Sequence, residues 1–132
     1  MSATPGPAAV RFACRGCGLA LTGVLRAVDL PVPTGEQSWD SPTPLLAAGT
    51  FAVATEGGRG TAGHVVLHPD DLRGVAPHPD RRRSSGCCGH DGLDGPNRVC
   101  DGCGTEVATL RDDCWVGWSS VRLEPAGVVR TA

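Results

Sequence analysis

The chain contains no lysine, isoleucine or tyrosine, and its 132 residues include one asparagine, one methionine and two phenylalanines. So few large apolar side chains build a thin core, and cross-links or metal ions become the natural supplement to hydrophobic burial. The missing Lys, Ile and Tyr and the scarce Asn share AT-rich codons. A GC-rich genome is therefore the first explanation for basic residues that are all Arg, ahead of anion recognition. The net charge of −2 and a pI near 6.0 provide no global field toward nucleic acid or an anionic membrane. No stretch approaches the ~18 apolar residues of a membrane helix. The opening MSATPGPAAV lacks the basic and long apolar regions of a secretory signal, so a cytoplasmic location is expected.

What the chain does have is 19 Gly, 11 Pro and seven Cys. An odd cysteine count in a reducing compartment fits disulfides poorly and metal ligation well. Two copies of one motif stand far apart: Cys14-Arg15-Gly16-Cys17-Gly18 and Cys100-Asp101-Gly102-Cys103-Gly104. Together they offer the four thiolates of a tetrahedral structural zinc site. A Gly after each second Cys lets backbone amides turn toward the sulfurs without a Cβ clash.

Residues 1–9 read as a flexible leader, and residues 10–130 as a single zinc-stabilised, β-rich domain. Strand-like patterns are expected at Val10–Ala13, across Leu19–Leu30 with a bend at Gly23, at Thr50–Ala54, His64–Leu67, Glu106–Leu110 and Ser119–Leu123, and at Val128-Val129. Residues 31–44, which include Trp39, read as a Pro-rich loop, and residues 76–99 as almost all loop. Pro69-Asp70-Asp71-Leu72 suits one helical turn. The expected class is mostly β with long irregular loops, in which zinc-ribbon or rubredoxin-like knuckles close a small β domain.

Two knuckles that each feed a strand-like run, Leu19-Ala20-Leu21-Thr22 and Glu106-Val107-Ala108-Thr109, resemble the zinc-ribbon and rubredoxin-like families. The 82 residues between Cys17 and Cys100 exceed the usual spacing and require an inserted β subdomain. Cys14, Cys17, Cys100 and Cys103 form the primary ligand set, with Cys87, Cys88, Cys114 and His90 left for a second site. A local grouping competes with it: Cys88, Cys100, Cys103 and Cys114 around one ion, and Cys14 and Cys17 with Cys87 and His90. The ligand total suits one or two Zn2+ ions, although four thiolates also suit iron. Small buried hydrophobes are the alternative role for Cys87, Cys88 and Cys114. The last third of the chain resembles small, uncharacterised zinc-ribbon-like proteins of actinobacteria. Gly86-Cys87-Cys88-Gly89, Asp91-Gly92-Leu93-Asp94-Gly95-Pro96-Asn97, Glu106-Val107-Ala108-Thr109 and Asp112-Asp113-Cys114 carry that resemblance, which implies no activity.

Other candidates have plainer readings. Asp91, Asp94 and Asn97 do not follow calcium-loop spacing and suit Asx turns. Arg81-Arg82-Arg83 suits a solvated loop. His64 and His68 share a strand face and read as exposed positions, and His78 is given no role. No nucleophile elbow, P-loop, dinucleotide fingerprint or zinc-deaminase signature is present, so no catalytic residue is assigned. The expected role is a structural zinc-binding module for an unknown protein partner, with no membrane contact. One rival is a nucleic-acid-binding ribbon, which needs Arg11, Arg15, Arg26, Arg81, Arg82, Arg83 and Arg98 on one face. The other is a thiol-redox protein, although a redox C-x-x-C pair normally precedes a helix rather than a strand.

Overall fold

The structure is a computed structural model, and it describes residues 9–31, 43–54, 63–84, 86, 89–113 and 118–131. The described residues form ten strands and two short 3-10 turns. The strands are β1 (Ala9–Cys14), β2 (Leu25–Ala27), β3 (Thr43–Pro44), β4 (Thr50–Val53), β5 (Val65–Leu67), β6 (Val75–Pro77), β7 (Arg98–Cys100), β8 (Glu106–Arg111), β9 (Trp118–Leu123) and β10 (Val128–Thr131). Their order across the sheet is β10-β1-β2-β4-β5-β9-β8-β7-β6, and β3 joins β9 at one side. All pairings are antiparallel except β2 with β4 and β3 with β9.

The mostly β class expected from the sequence is what the chain adopts, with three differences in detail. Only Leu25–Ala27 of the Leu19–Leu30 pattern becomes a strand, because Ala20 is held by a single bridge to Ala13. Thr43-Pro44 is a short strand rather than loop, lying where Pro is tolerated beside the start of β9. Residues 76–99 are not almost all loop: they carry most of β6, a 3-10 turn at Arg81–Ser84 and the start of β7. Pro77 sits at the end of edge strand β6, so its lack of an N–H breaks no central ladder. Trp39 lies outside the described residues.

Two Phe rings anchor the main core. Phe12 and Phe51 meet edge to face at 5.3 Å, and the Arg130 guanidinium lies 5.7 and 5.3 Å from their centroids. Around them pack Leu21, Leu25, Leu67, Val107, Val121 and Leu123, together with Cys14 and Cys100. Central β5 is buried on both faces: Val65 and Leu67 join this core, while Val66 packs with Leu46, Ala52 and Ala54 on the other side.

The curled sheet nearly closes on itself. Leu21 donates its N–H to Phe12 O (2.9 Å) and accepts from Arg73 N (2.8 Å), just before edge strand β6. Asp101 N then donates to Gly74 O (2.9 Å). The strip at residues 20–21 therefore bridges β1 to the far end of the sheet, and both cysteine turns lie along this seam.

Polar side chains extend the ladder where apolar ones are scarce. Asn97 is buried and acts as a surrogate strand: its Oδ1 accepts from Leu110 N (2.7 Å) and its Nδ2 donates to Leu110 O (2.9 Å). This occurs beside the register shift between Arg98 and Val99. His68-Pro69-Asp70 and His78-Pro79-Asp80 repeat one local device, in which the His Nδ1 accepts from the Asp backbone N–H at 3.0 Å ahead of a 3-10 turn. That bond places the His78 proton on Nε2, which donates to Glu106 Oε2 at 2.7 Å. His64 is buried rather than exposed, because Nε2 lies 3.1 Å from Glu124 Oε1. The one-turn expectation at residues 69–72 is met by a 3-10 turn over Pro69–Asp71.

Replacing Asn97 with Ala leaves both Leu110 backbone groups without their partner in a water-poor site. The expected loss is about 2–4 kcal/mol of unfolding free energy for two hydrogen bonds of this kind, read by denaturant titration of metal-loaded protein.

Candidate metal centre

Each cysteine turn begins where a strand ends: Cys14 is the last residue of β1 and Cys100 the last of β7. The two turns are built alike. Cys14 N donates to Leu19 O and Gly18 N to Cys14 O, both at 2.8 Å; Cys100 N donates to Thr105 O and Gly104 N to Cys100 O, both again at 2.8 Å. Gly18 and Gly104 have φ of 80° and 79°, a left-handed conformation that suits glycine. Gly16 N and Gly102 N lie 3.3 Å from Cys14 Sγ and Cys100 Sγ, donating toward the first sulfur of each turn. Such N–H···S bonds fix the direction of the sulfur.

The turns face each other across the seam. Cys14 Sγ lies 3.5 Å from Cys103 Sγ, and Cys17 Sγ lies 3.5 Å from Cys100 Sγ. In each pair a buried sulfur meets an exposed one from the other turn. All four sulfurs lie within 4.8 Å of one another. A tetrahedral ion with metal–sulfur bonds of about 2.3 Å needs sulfurs about 3.8 Å apart. The four side chains therefore fit a tetrahedral metal ion with small adjustments, and they could hold one.

Each turn's middle glycine makes that approach possible. A Cβ on Gly16 would lie 2.6 Å from Thr105 Oγ1 and 3.1 Å from Cys103 Sγ; one on Gly102 would lie 3.3 Å from Cys17 Sγ. Reading the sequence for the Gly after each motif misses this role, although Gly as the second intervening residue in both copies is the visible signal. The first turn is pinned by Arg15, whose N donates to Gly127 O and whose Nη2 donates to Val128 O, both at 2.9 Å.

The sulfurs differ in proton affinity. The Thr105 hydroxyl, 3.1 Å from Cys103 Sγ, and the Thr105 backbone bring Cys103 down to about 6. For Cys17 the Leu19 backbone favours the thiolate, but contact with the Cys100 sulfur, burial, and the Cys103 and Cys14 sulfurs outweigh it and push Cys17 up to about 12. Without a cation, crowded sulfurs share few negative charges; a divalent ion reverses this by stabilising all four thiolates.

Cys14, Cys17, Cys100 and Cys103 are thus brought together as one group, and the local grouping of Cys100 and Cys103 apart from Cys14 and Cys17 is not the arrangement found. Cys87, Cys88 and Cys114 of the suggested second site lie outside the described residues. His90 is described: its N and Nδ1 lie 2.8 and 3.1 Å from Asp112 Oδ1, while Gly89 N donates to Asp113 Oδ1 at 3.0 Å. Asp91 accepts from Leu93 N at 2.9 Å, the expected Asx turn. Of the seven arginines of the suggested nucleic-acid face, at least three are engaged within the chain. Arg82 is paired with Asp80, Arg83 with Glu106, and Arg15 with backbone carbonyls. Among the described residues, no helix is long and apolar enough to cross a membrane. No family model matches the chain, and neither a curated protein nor a solved structure matches it.

Gly16→Ala should lower metal affinity about tenfold, more than Gly102→Ala, as measured by chelator competition. Binding at neutral pH displaces the Cys17 proton, so apparent affinity should rise with pH. Below about pH 6 Cys103 also takes up a proton, and the plot of log affinity against pH should steepen there.

Proposed function

We propose that this protein is a structural zinc module: a small β domain whose sheet seam is pinned by one Zn2+ on Cys14, Cys17, Cys100 and Cys103. The observation that carries this reading is the crossed contact of buried and exposed sulfurs from turns 82 residues apart. Four thiolates on two knuckles form a closed site of the kind that holds structural zinc; the same donors accept iron, and the metal content of the purified protein decides between the two. The domain then serves as a binding or assembly unit, with a protein as the partner class and a cytoplasmic setting in which thiolates stay reduced.

Structural zinc contributes about 10–16 kcal/mol in small finger peptides, as much as the whole stability of an ordinary domain. Purified protein should contain one zinc per chain at these four cysteines, and each Cys→Ser variant among them should lose it. A second equivalent that disappears in Cys114→Ser alone would assign Cys87, Cys88, Cys114 and His90 to another ion. Chelation should abolish the cooperative thermal transition. A metal-free protein with an unchanged transition would sink the structural role.

A further inference from the structure

Val121 and Leu123 of β9 point into the main core, so Ser120 and Arg122 face the opposite side of the sheet. In register, Arg122 stands between Val66 of β5 and Thr109 of β8, and Ser120 stands opposite Arg111. Side chains two residues apart on one face of adjacent strands are within reach of each other when long, which places Arg111 beside Arg122. This surface has a wall on each side. Leu46 packs with Ala52, Ala54 and Val66. On the other side the loop backbone at Gly92 rests on Arg111 and Thr109, where an added Cβ would lie 2.6 Å from Arg111 Cγ and 3.1 Å from Thr109 Cγ2.

Between these walls Arg122 Nε is shut off from solvent and has no hydrogen-bond partner. A buried donor on a charged group is costly to leave unmade, and such a group calls for a bound species or a function. Among the carboxylates of neighbouring segments, Glu124 lies 3.1 Å from His64, Asp112 lies 3.1 Å from His90, and buried Asp113 accepts from Gly89 N at 3.0 Å. Arg111 donates through Nε to Asp91 O at 3.2 Å, and among the described residues neither arginine makes an ion pair. Burial first, and the neighbouring Arg111 charge second, lower the proton affinity of Arg122. Two cations thus share a walled surface, neither in an ion pair among the described residues, and the Thr109 and Ser120 hydroxyls lie on the same face.

The geometry points to an oxyanion site at Arg122 and Arg111 that takes a phosphate-type dianion. A dianion matches the two guanidinium charges, whereas a carboxylate neutralises only one of them. Its oxygens accept from the Nη groups of Arg122 and Arg111, whose planar guanidinium ends suit a phosphate, leaving further oxygens for the hydroxyls. The site is separate from the cysteine cluster and independent of the zinc reading.

The test uses 15N-labelled, zinc-loaded full chain whose metal content is measured in each sample. Inorganic phosphate is titrated at constant ionic strength, with chloride and acetate as comparisons, while the Arg side-chain Nε–H signals are followed. Phosphate should shift the Arg122 and Arg111 signals saturably and raise the thermal midpoint. Arg111→Gln should weaken its apparent affinity about tenfold, the loss of one charge-assisted hydrogen bond. Arg122→Gln should abolish the response. An absent phosphate response, an equal response to chloride or acetate, or unchanged affinity in Arg111→Gln overturns the proposal. The wild-type spectra and Arg111→Gln decide the matter even if Arg122→Gln fails to fold.

Discussion

Contact between four sulfurs at the sheet seam is the constraint on which the rest of the architecture depends. Cys14 and Cys100 end strands β1 and β7 and belong to the main core, while their exposed partners Cys17 and Cys103 cross over to meet them. The sheet is otherwise joined at this place by single hydrogen bonds through Leu21, Arg73 and Gly74. A few backbone bonds, each worth about 1 kcal/mol net, hold such a closure weakly. Four metal–thiolate bonds would hold it firmly, and the four sulfurs stand close enough to make them.

The same shortage explains why polar groups perform structural work elsewhere. Asn97 replaces a backbone rung by pairing both amide atoms with Leu110. Glu106, just after the second knuckle, receives His78 Nε2 and Arg83 Nη1, and Arg83 also donates to Pro96 O. These bonds tie the long segment between β6 and β7 to the strand that follows the second cysteine turn. His64 with Glu124 and His90 with Asp112 repeat the pattern at other edges. Such pairs add directionality that a thin core of Val, Leu and Ala does not supply.

Much of the fold was legible in the chain because its strands are short and bounded by Gly and Pro. Thr50–Val53, Val65–Leu67, Glu106–Arg111 and Trp118–Leu123 all fall where alternation or a short apolar run marks them. The pattern across Leu19–Leu30 overstated strand length because Ala20-Leu21 spans the seam instead of pairing at length. Short β6 and β7 were read as loop because Val75–Pro77 ends in proline and Arg98–Cys100 has only three residues; their identity comes from pairing with each other and with β8. Local pattern cannot report a pairing that long-range contacts create.

By itself, the sequence determined the donor chemistry: two turns of the same C-x-G-C-G pattern, four cysteine sulfurs, and glycines where the backbone must bend or come close. Those features are local, since a C-x-x-C-G turn carries its geometry in five residues. Which cysteines stand together was decided only by tertiary structure, because bringing Cys17 and Cys100 within 3.5 Å requires the sheet to curl back on itself. The tertiary structure likewise placed Arg122 and Arg111 side by side, with no ion pair to either among the described residues. Strand register sets that neighbourhood, and residues 11 positions apart in the chain reveal nothing of it until the strands pair.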